Sequence, residues 1–193
     1  MRLFLPLQVH DLRYVLSVLH GMYRRSRLVE NRRFIQHGST TLHQHCRAVA
    51  LVSLQLVRKF NLKVDEHSLI RGALLHDYYL YDWHKKDHPH PHLHGFFHPS
   101  IALKNASAII NLNKTEKDII KHHMFPLTPC PPQTKEGWIV SISDKLCSIY
   151  ETLKLNEERL KGWRKFARRL CNKIFHCTLP FPHHFPIPSL VVK

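Results

Sequence analysis

Apolar residues along this chain recur at intervals of three and four, and the elements that spacing predicts are helices. From Thr41 to Phe60 one row holds Leu42, Cys46, Val49, Ser53, Leu56, Val57 and Phe60, while His45 leads a neighbouring row with Val49 and Val52. Thr40 or Thr41, just after Gly38, is placed to cap that helix. A second helix begins at Asp65, and its Leu69, Ile70, Ala73 and Leu74 lead into the doublet His76-Asp77. A third runs from about Pro99 to Leu112, with Pro99 in its first turn and Ile101, Ala102, Asn105, Ala108 and Ile109 on its stripe. Asn113 or Thr115 caps a short segment, Glu116 to Met124, in which Ile119 and Ile120 stand one turn before His123. Pro126, Pro129, Pro131 and Pro132 then impose a loop.

From about Lys135 to Leu155 a further helix turns Ile139, Ile142, Ser143, Leu146, Tyr150 and Leu153 inward. A basic helix follows from about Asn156 to Lys173, and the four prolines between Thr178 and Pro188 exclude helix there. The stretch from Tyr81 to Phe97 is the least regular, and its His-Pro-His-Pro-His-Leu-His run reads as a polar, histidine-rich loop. No internal repeat and no trustworthy strand alternation is present. The expected fold class is all-α, a helical bundle interrupted by the irregular His/Pro-rich loop spanning His84 to His94.

With 193 residues, 44% of them hydrophobic, the chain has material for one compact core. The expected division is a basic helical extension over 1–35 packed on the core, a central domain over 36–155, and a basic helix with a Pro-rich tail over 156–193. No apolar run approaches the ~20 residues that span a bilayer. Asp11, Arg13 and the Arg24-Arg25-Arg27 cluster interrupt the N-terminal apolar patches, so a cytoplasmic location is expected. The five cysteines show no Cys-x-x-Cys spacing and read as reduced thiols. Cys46 and Cys147 lie near chemistry-bearing residues but on apolar stripes, which assigns them to core packing.

A net charge of +15 narrows the partners to anions: nucleotides, phosphorylated metabolites or nucleic acid. Nucleic acid is disfavoured because the basic segments, Arg24 to Arg33 and Arg159 to Lys173, read as solvated helix faces. Phosphorylated small molecules, nucleotides among them, are the expected ligands.

The candidate chemistry lies in five separated pieces that carry His45, His76-Asp77, His98, His122-His123 and Asp144. Imidazole nitrogens and carboxylate oxygens in this mixture suit one or two divalent ions, and Fe, Mn, Zn, Co and Mg are not distinguished by the set. Near a helix end both members of His76-Asp77 reach one ion, and His45 with Asp144 completes a first site. His98 and His123 are candidates for a second ion, with Asp77 bridging. His122 points to an adjacent face and is a weaker candidate. His43, two residues from His45, points across its helix.

The ordered set resembles the HD superfamily of metal-dependent phosphohydrolases. The match is carried by H-x-x-x-V at His45 to Val49, A-L-L-H-D at Ala73 to Asp77 and S-D-K at Ser143 to Lys145, and it covers about Gln36 to Leu155. The added His98 and His123 look like the six-ligand, two-metal variety, similar to the diadenosine-tetraphosphate hydrolase branch. The Gly-Tyr-Pro tripeptide of the cyclic-di-GMP branch is absent. The resemblance implies an all-helical fold around a buried metal centre that hydrolyses phosphate esters or anhydrides. His45, His76, Asp77 and Asp144 carry over as ligands of the first ion, and His98 and His123 as ligands of the second. For the reaction, Asp77 is expected to hold both ions, Lys145 (with Lys121 and Arg71) to orient phosphate oxygens, and Asp82 to manage a proton. Two other readings stay open: a catalytically silent HD module that binds nucleotide or metal for regulation, and a nucleic-acid-binding protein that uses the basic ends. Self-association through the helix before Gly38 is compatible with each.

Overall fold

The computed structural model of the chain describes residues 8–37, 40–84 and 94–153. Among them, α1 (Val9–Tyr23) and a 3-10 turn (Leu28–Arg32) precede a short antiparallel ribbon of β1 (Ile35–His37) and β2 (Thr40–Thr41). Five helices follow: α2 (Leu42–Phe60), α3 (Glu66–Leu75), α4 (His94–Ile109), α5 (Lys114–His122) and α6 (Lys135–Leu153). The fold is all-α, the ribbon being its sole strand pair among the described residues. No helix among them is long and apolar enough to cross a membrane.

The central helix is α2, which packs on α3 and α6, while α5 closes against α3 and α6 from the other side. Val49, Leu54, Leu69, Ile70, Leu74, Ile119, Ile120 and Val140 form the dry centre, and α1 adds Val15, Leu19 and Met22 to the same cluster. Local chemistry sets the helix ends. Thr41 and Gln44 form a reciprocal capping box at the start of α2, Asp65 accepts from the amides of His67 and Ser68, and Asn113 pairs reciprocally with Glu116. Asn61 stops α2 in the left-handed region, φ 47°, which asparagine tolerates.

Gly72 lets α5 approach α3. A Cβ there would lie 2.5 Å from Cδ1 of Ile119 and 3.0 Å from its Cβ and Cγ2. Because α5 carries His123 at its C-terminal end, this close approach brings α5's end against the rest of the core. Gly72→Ala is expected to destabilise the protein by about 1–3 kcal/mol through overpacking, measured by urea denaturation. An unchanged midpoint would show that the two helices part freely.

Four expectations are corrected. The third helix begins at His94, five residues before Pro99, so Pro99 lies inside it instead of in its first turn. Proline there removes the amide that would bond the Gly95 carbonyl, a loss confined to one early hydrogen bond. On that helix the buried row is His98, Ala102 and Ala106, whereas Ala108 and Ile109 are exposed. On α6, Ile139, Val140, Ser143 and Cys147 face the core, and Ile142 is 49% exposed. In both helices the packed face is chosen by polar side chains that the site requires, which apolar periodicity does not register. Phe60, at the end of α2, is likewise exposed. The basic segment 156–193 and most of the His/Pro loop, 85–93, lie outside the described residues.

Candidate metal centre

The inner ends of α2, α3, α4, α5 and α6 converge on one buried polar cluster. His45 comes from α2, His76-Asp77 follow the last turn of α3, His98 comes from α4, His123 caps α5 and Asp144 lies on α6. All six are buried. Their ligand-type atoms form three overlapping triads, His45/His76/Asp77, His76/His123/Asp144 and Asp77/His98/His123, each with its atoms within 4.8 Å of one another.

The two oxygens of Asp77 look in different directions. Oδ2 lies 3.5 Å from His76 Nε2 and 3.9 Å from His45 Nε2. Asp144 Oδ1 joins that side, 3.0 Å from His45 Nε2 and 3.7 Å from His76 Nε2. Oδ1 of Asp77 instead lies 3.1 Å from His98 Nε2 and 3.5 Å from His123 Nε2. One carboxylate thus stands between two sets of imidazole nitrogens.

Every one of these imidazoles has its Nδ1 held. His76 Nδ1 donates to the Ala73 carbonyl at 2.8 Å, His98 Nδ1 to the His94 carbonyl at 3.0 Å and His123 Nδ1 to the Ile120 carbonyl at 2.9 Å. His45 Nδ1 is 2.9 Å from Glu151 Oε2. A carbonyl or carboxylate can only accept, so each Nδ1 carries its hydrogen and each neutral ring presents a lone pair at Nε2. His98 Nε2 and His123 Nε2 are 2.9 Å apart. Two lone pairs that close, beside a carboxylate oxygen, repel unless a cation stands among them. Nε2 of His76 and Oδ1 of Asp77, both shielded from solvent, have no hydrogen-bond partner. The donor set therefore fits divalent cations, with protons as their competitors.

The same competition governs the charges. Burial opposes a charge on His45, but hydrogen bonds that Asp144 and Glu151 accept from its ring outweigh it and hold its pKa well above the ordinary value. Burial also opposes charge on His76, and Asp77 beside it raises the pKa well above the usual range. Asp77 and Asp144 are raised by burial and lowered further by the surrounding histidines, ending well below ordinary carboxylates. His123 goes the other way, and burial carries it to about 4 against the pull of Asp77.

Outer contacts hold the doublet. Tyr79 donates its hydroxyl hydrogen to Gln36 Oε1, and Gln36 Nε2 donates to Asp77 Oδ2 at 2.8 Å. The turn after Asp77 places Leu80 at φ 61°, a conformation unfavourable for a branched side chain. Asn105 from α4 steadies that turn by donating to the carbonyls of Tyr78 and Tyr79, at 3.1 and 3.2 Å.

The remaining candidates are placed as follows. Lys145 lines the cleft beside the centre, and its Nζ donates to the carbonyls of His123 and Ser141 and to Ser141 Oγ. Burial lowers its pKa, and Asp144 acts against that. Asp82 is not drawn to the centre: it accepts from the backbone and ring of its neighbour His84 and does not line the cleft. His122 turns away to Asp118 at 2.7 Å, in a bracket where Asp118 also accepts from Gln133 and Thr134. Arg71 pairs with the buried Glu116 at 3.2 Å, and Lys121 is exposed; neither lines the cleft. Cys46 and Cys147 are buried free thiols.

Several functional neighbours escape sequence reasoning. Glu151 follows Asp144 by seven residues on one helix, two turns on the same face, and that spacing was readable. Gln36 and Tyr79 carried no such signal. His37 and His94, together with Trp83 and His84, line the cleft, which has a volume of about 1020 Å³. Trp83 is stacked with His94, ring centroids 5.3 Å apart and planes within 7°, and its buried Nε1 has no partner.

The family model for the HD domain matches residues 42–149, more than half of the chain. No curated protein and no solved structure matches it. The matched span contains all six converging residues, and on that match the chain belongs to the HD-domain superfamily of metal-dependent phosphohydrolases.

Proposed function

We propose that this protein hydrolyses a phosphate ester or anhydride of a nucleotide or similar phosphorylated metabolite at a two-ion centre. The observation that carries the reading is the position of Asp77, with one oxygen facing His45 and His76 and the other facing His98 and His123. His45, His76, Asp77 and Asp144 would hold one ion, and His98, His123 and Asp77 the other. Such ions, when bound, activate water at neutral pH and neutralise charge on phosphate oxygens.

The protein's own groups do the rest. The backbone carbonyls and Glu151 keep each Nε2 aimed inward, and Gln36 keeps Asp77 from rotating. Lys145 places a cation at the cleft wall, where a phosphate oxygen would lie, and ties α6 to the His123 carbonyl. The cleft's size and its Trp83–His94 wall favour a substrate with a flat ring as well as a phosphate.

Purified protein loaded with Mn²⁺, Fe²⁺ or Co²⁺ is expected to release phosphate from at least one member of a panel of nucleotides. Tight nucleotide binding without release across the panel would favour the silent module instead. Binding of nucleic acid that collapses with salt and survives Asp77→Ala would favour the basic ends as the working part. His123→Ala is expected to lower the metal content by one ion per chain, read by elemental analysis. An unchanged count would remove His123 from the ligand set.

A further inference from the structure

The opposite face of α2 carries a second polar cluster. His43 and Arg47 are four residues apart and share a face, which the two-residue offset from His45 turns about 200° away from the ligand row. Tyr23, the last residue of α1, hydrogen-bonds His43 Nε2 through its hydroxyl. The guanidinium carbon of Arg32 sits 6.0 Å from the centre of the Tyr23 ring. Arg47 interacts electrostatically with Tyr23 and Arg32, and His43 with both arginines. The members of the cluster thus adjoin one another.

What the cluster lacks is a counter-charge. Among the described residues no carboxylate pairs with Arg32, His43 or Arg47, whereas three arginines elsewhere are paired: Arg27 with Glu30, Arg58 with Glu66 and Arg71 with Glu116. Arg47 Nε is shielded from solvent and has no hydrogen-bond partner. Burial pushes Arg47 below the ordinary guanidinium value, Tyr23 opposes this and Arg32 adds to it. A donor withdrawn from water without an acceptor is costly, and an arriving oxyanion removes that cost. Paired guanidinium groups suit the tetrahedral oxygens of phosphate better than a single spherical anion.

We infer that Arg47, Arg32 and the Tyr23–His43 pair form a binding site for a phosphate-type oxyanion, separate from the metal centre. The inference does not depend on hydrolysis, and its test is run on metal-free protein. Titrated with inorganic phosphate in a calorimeter, the metal-stripped full-length chain is expected to bind one phosphate saturably. Arg47→Met, which keeps the apolar stem, is expected to weaken binding at least about tenfold, the scale of one lost charge-assisted hydrogen bond. Arg32→Met changes an exposed residue, leaves the core intact and is expected to weaken binding similarly. Lys117→Met, an exposed residue of α5 away from both the cleft and the cluster, is expected to leave the affinity unchanged. Adenosine monophosphate serves as a second probe: tighter binding than phosphate, still dependent on Arg47, identifies a nucleotide's phosphoryl group, and equal binding identifies the free anion. Loss with Lys145→Met but not with the arginine variants would move the anion to the cleft and overturn the assignment. Uptake that never saturates would assign it to the chain's net charge and overturn it as well.

Discussion

Replacing Asp77 by alanine is expected to leave the protein folded, remove both ions and reduce phosphate release to background. Among the described residues its two oxygens are the sole anionic group that faces both imidazole sets. Without them His98 and His123 keep a neutral pair of lone pairs, and His45 and His76 keep only Asp144. The His98–His123 pair then has no carboxylate to offset an ion's charge, and the His45–His76 side is left with one carboxylate in place of two, so both bind a divalent ion far less firmly. The measurement is metal content after desalting, alongside circular dichroism and a phosphate-release assay. Full occupancy in a folded Asp77→Ala protein would overturn the bridging role. Asp77→Asn sharpens the test, since it preserves volume and the contact with Gln36 while placing an uncharged amide between the two sets.

The second large effect is expected at Glu151. Three ligand-type histidines rest their Nδ1 on backbone carbonyls, and His45 alone rests on a carboxylate. A carboxylate makes the imidazole a stronger donor at its far nitrogen and fixes the ring's orientation. Glu151→Ala should therefore weaken metal binding at the His45 side by about 10- to 100-fold, with little effect at the His98–His123 side. Glu151→Gln should fall between, because the amide oxygen still accepts the hydrogen bond but carries no charge. Competition with a graded series of chelators separates the two ions and needs no substrate. Removing the side chain also leaves a buried N–H unpaired, at a cost of about 1–3 kcal/mol in stability. Identical metal affinities in all three proteins would make Glu151 a packing residue.

How far the centre could be read in advance varied with the range of the interaction. Thr41 and Asn113 were legible among the cap candidates, and Asp65 as the start of its helix, because a cap satisfies amides only two or three residues away. His45, His76-Asp77 and Asp144 were legible because their residue types and short contexts recur within a superfamily, and the fold brings them together. Glu151 was legible in principle from its two-turn offset on α6. Asp82 illustrates the opposite case. Proximity in sequence to Asp77 made it attractive, but the left-handed turn at Leu80 carries the chain away and leaves Asp82 with His84. Helix faces were misread at Ile109 and Ile142 because apolar periodicity takes every isoleucine as a core residue, while here buried histidine and serine claim the inner positions.

The residues of this chain by themselves determined the all-α class, the main helices and their caps, the superfamily, and the kinds of atom offered to a cation. Each of these follows from contacts within a turn or two, or from short motifs. Carbonyls three or four residues back orient the rings of His76, His98 and His123, but tertiary structure alone decided how Asp77 and the His45 ring are turned. The hydrogen bonds that do this join Gln36 to Asp77 across 41 residues and His45 to Glu151 across 106. No helical period reaches that far, so packing had to supply those partners. The same holds for the Tyr23–Arg32–His43–Arg47 cluster, whose missing counter-charge becomes visible only once α1, the 3-10 turn and α2 lie side by side.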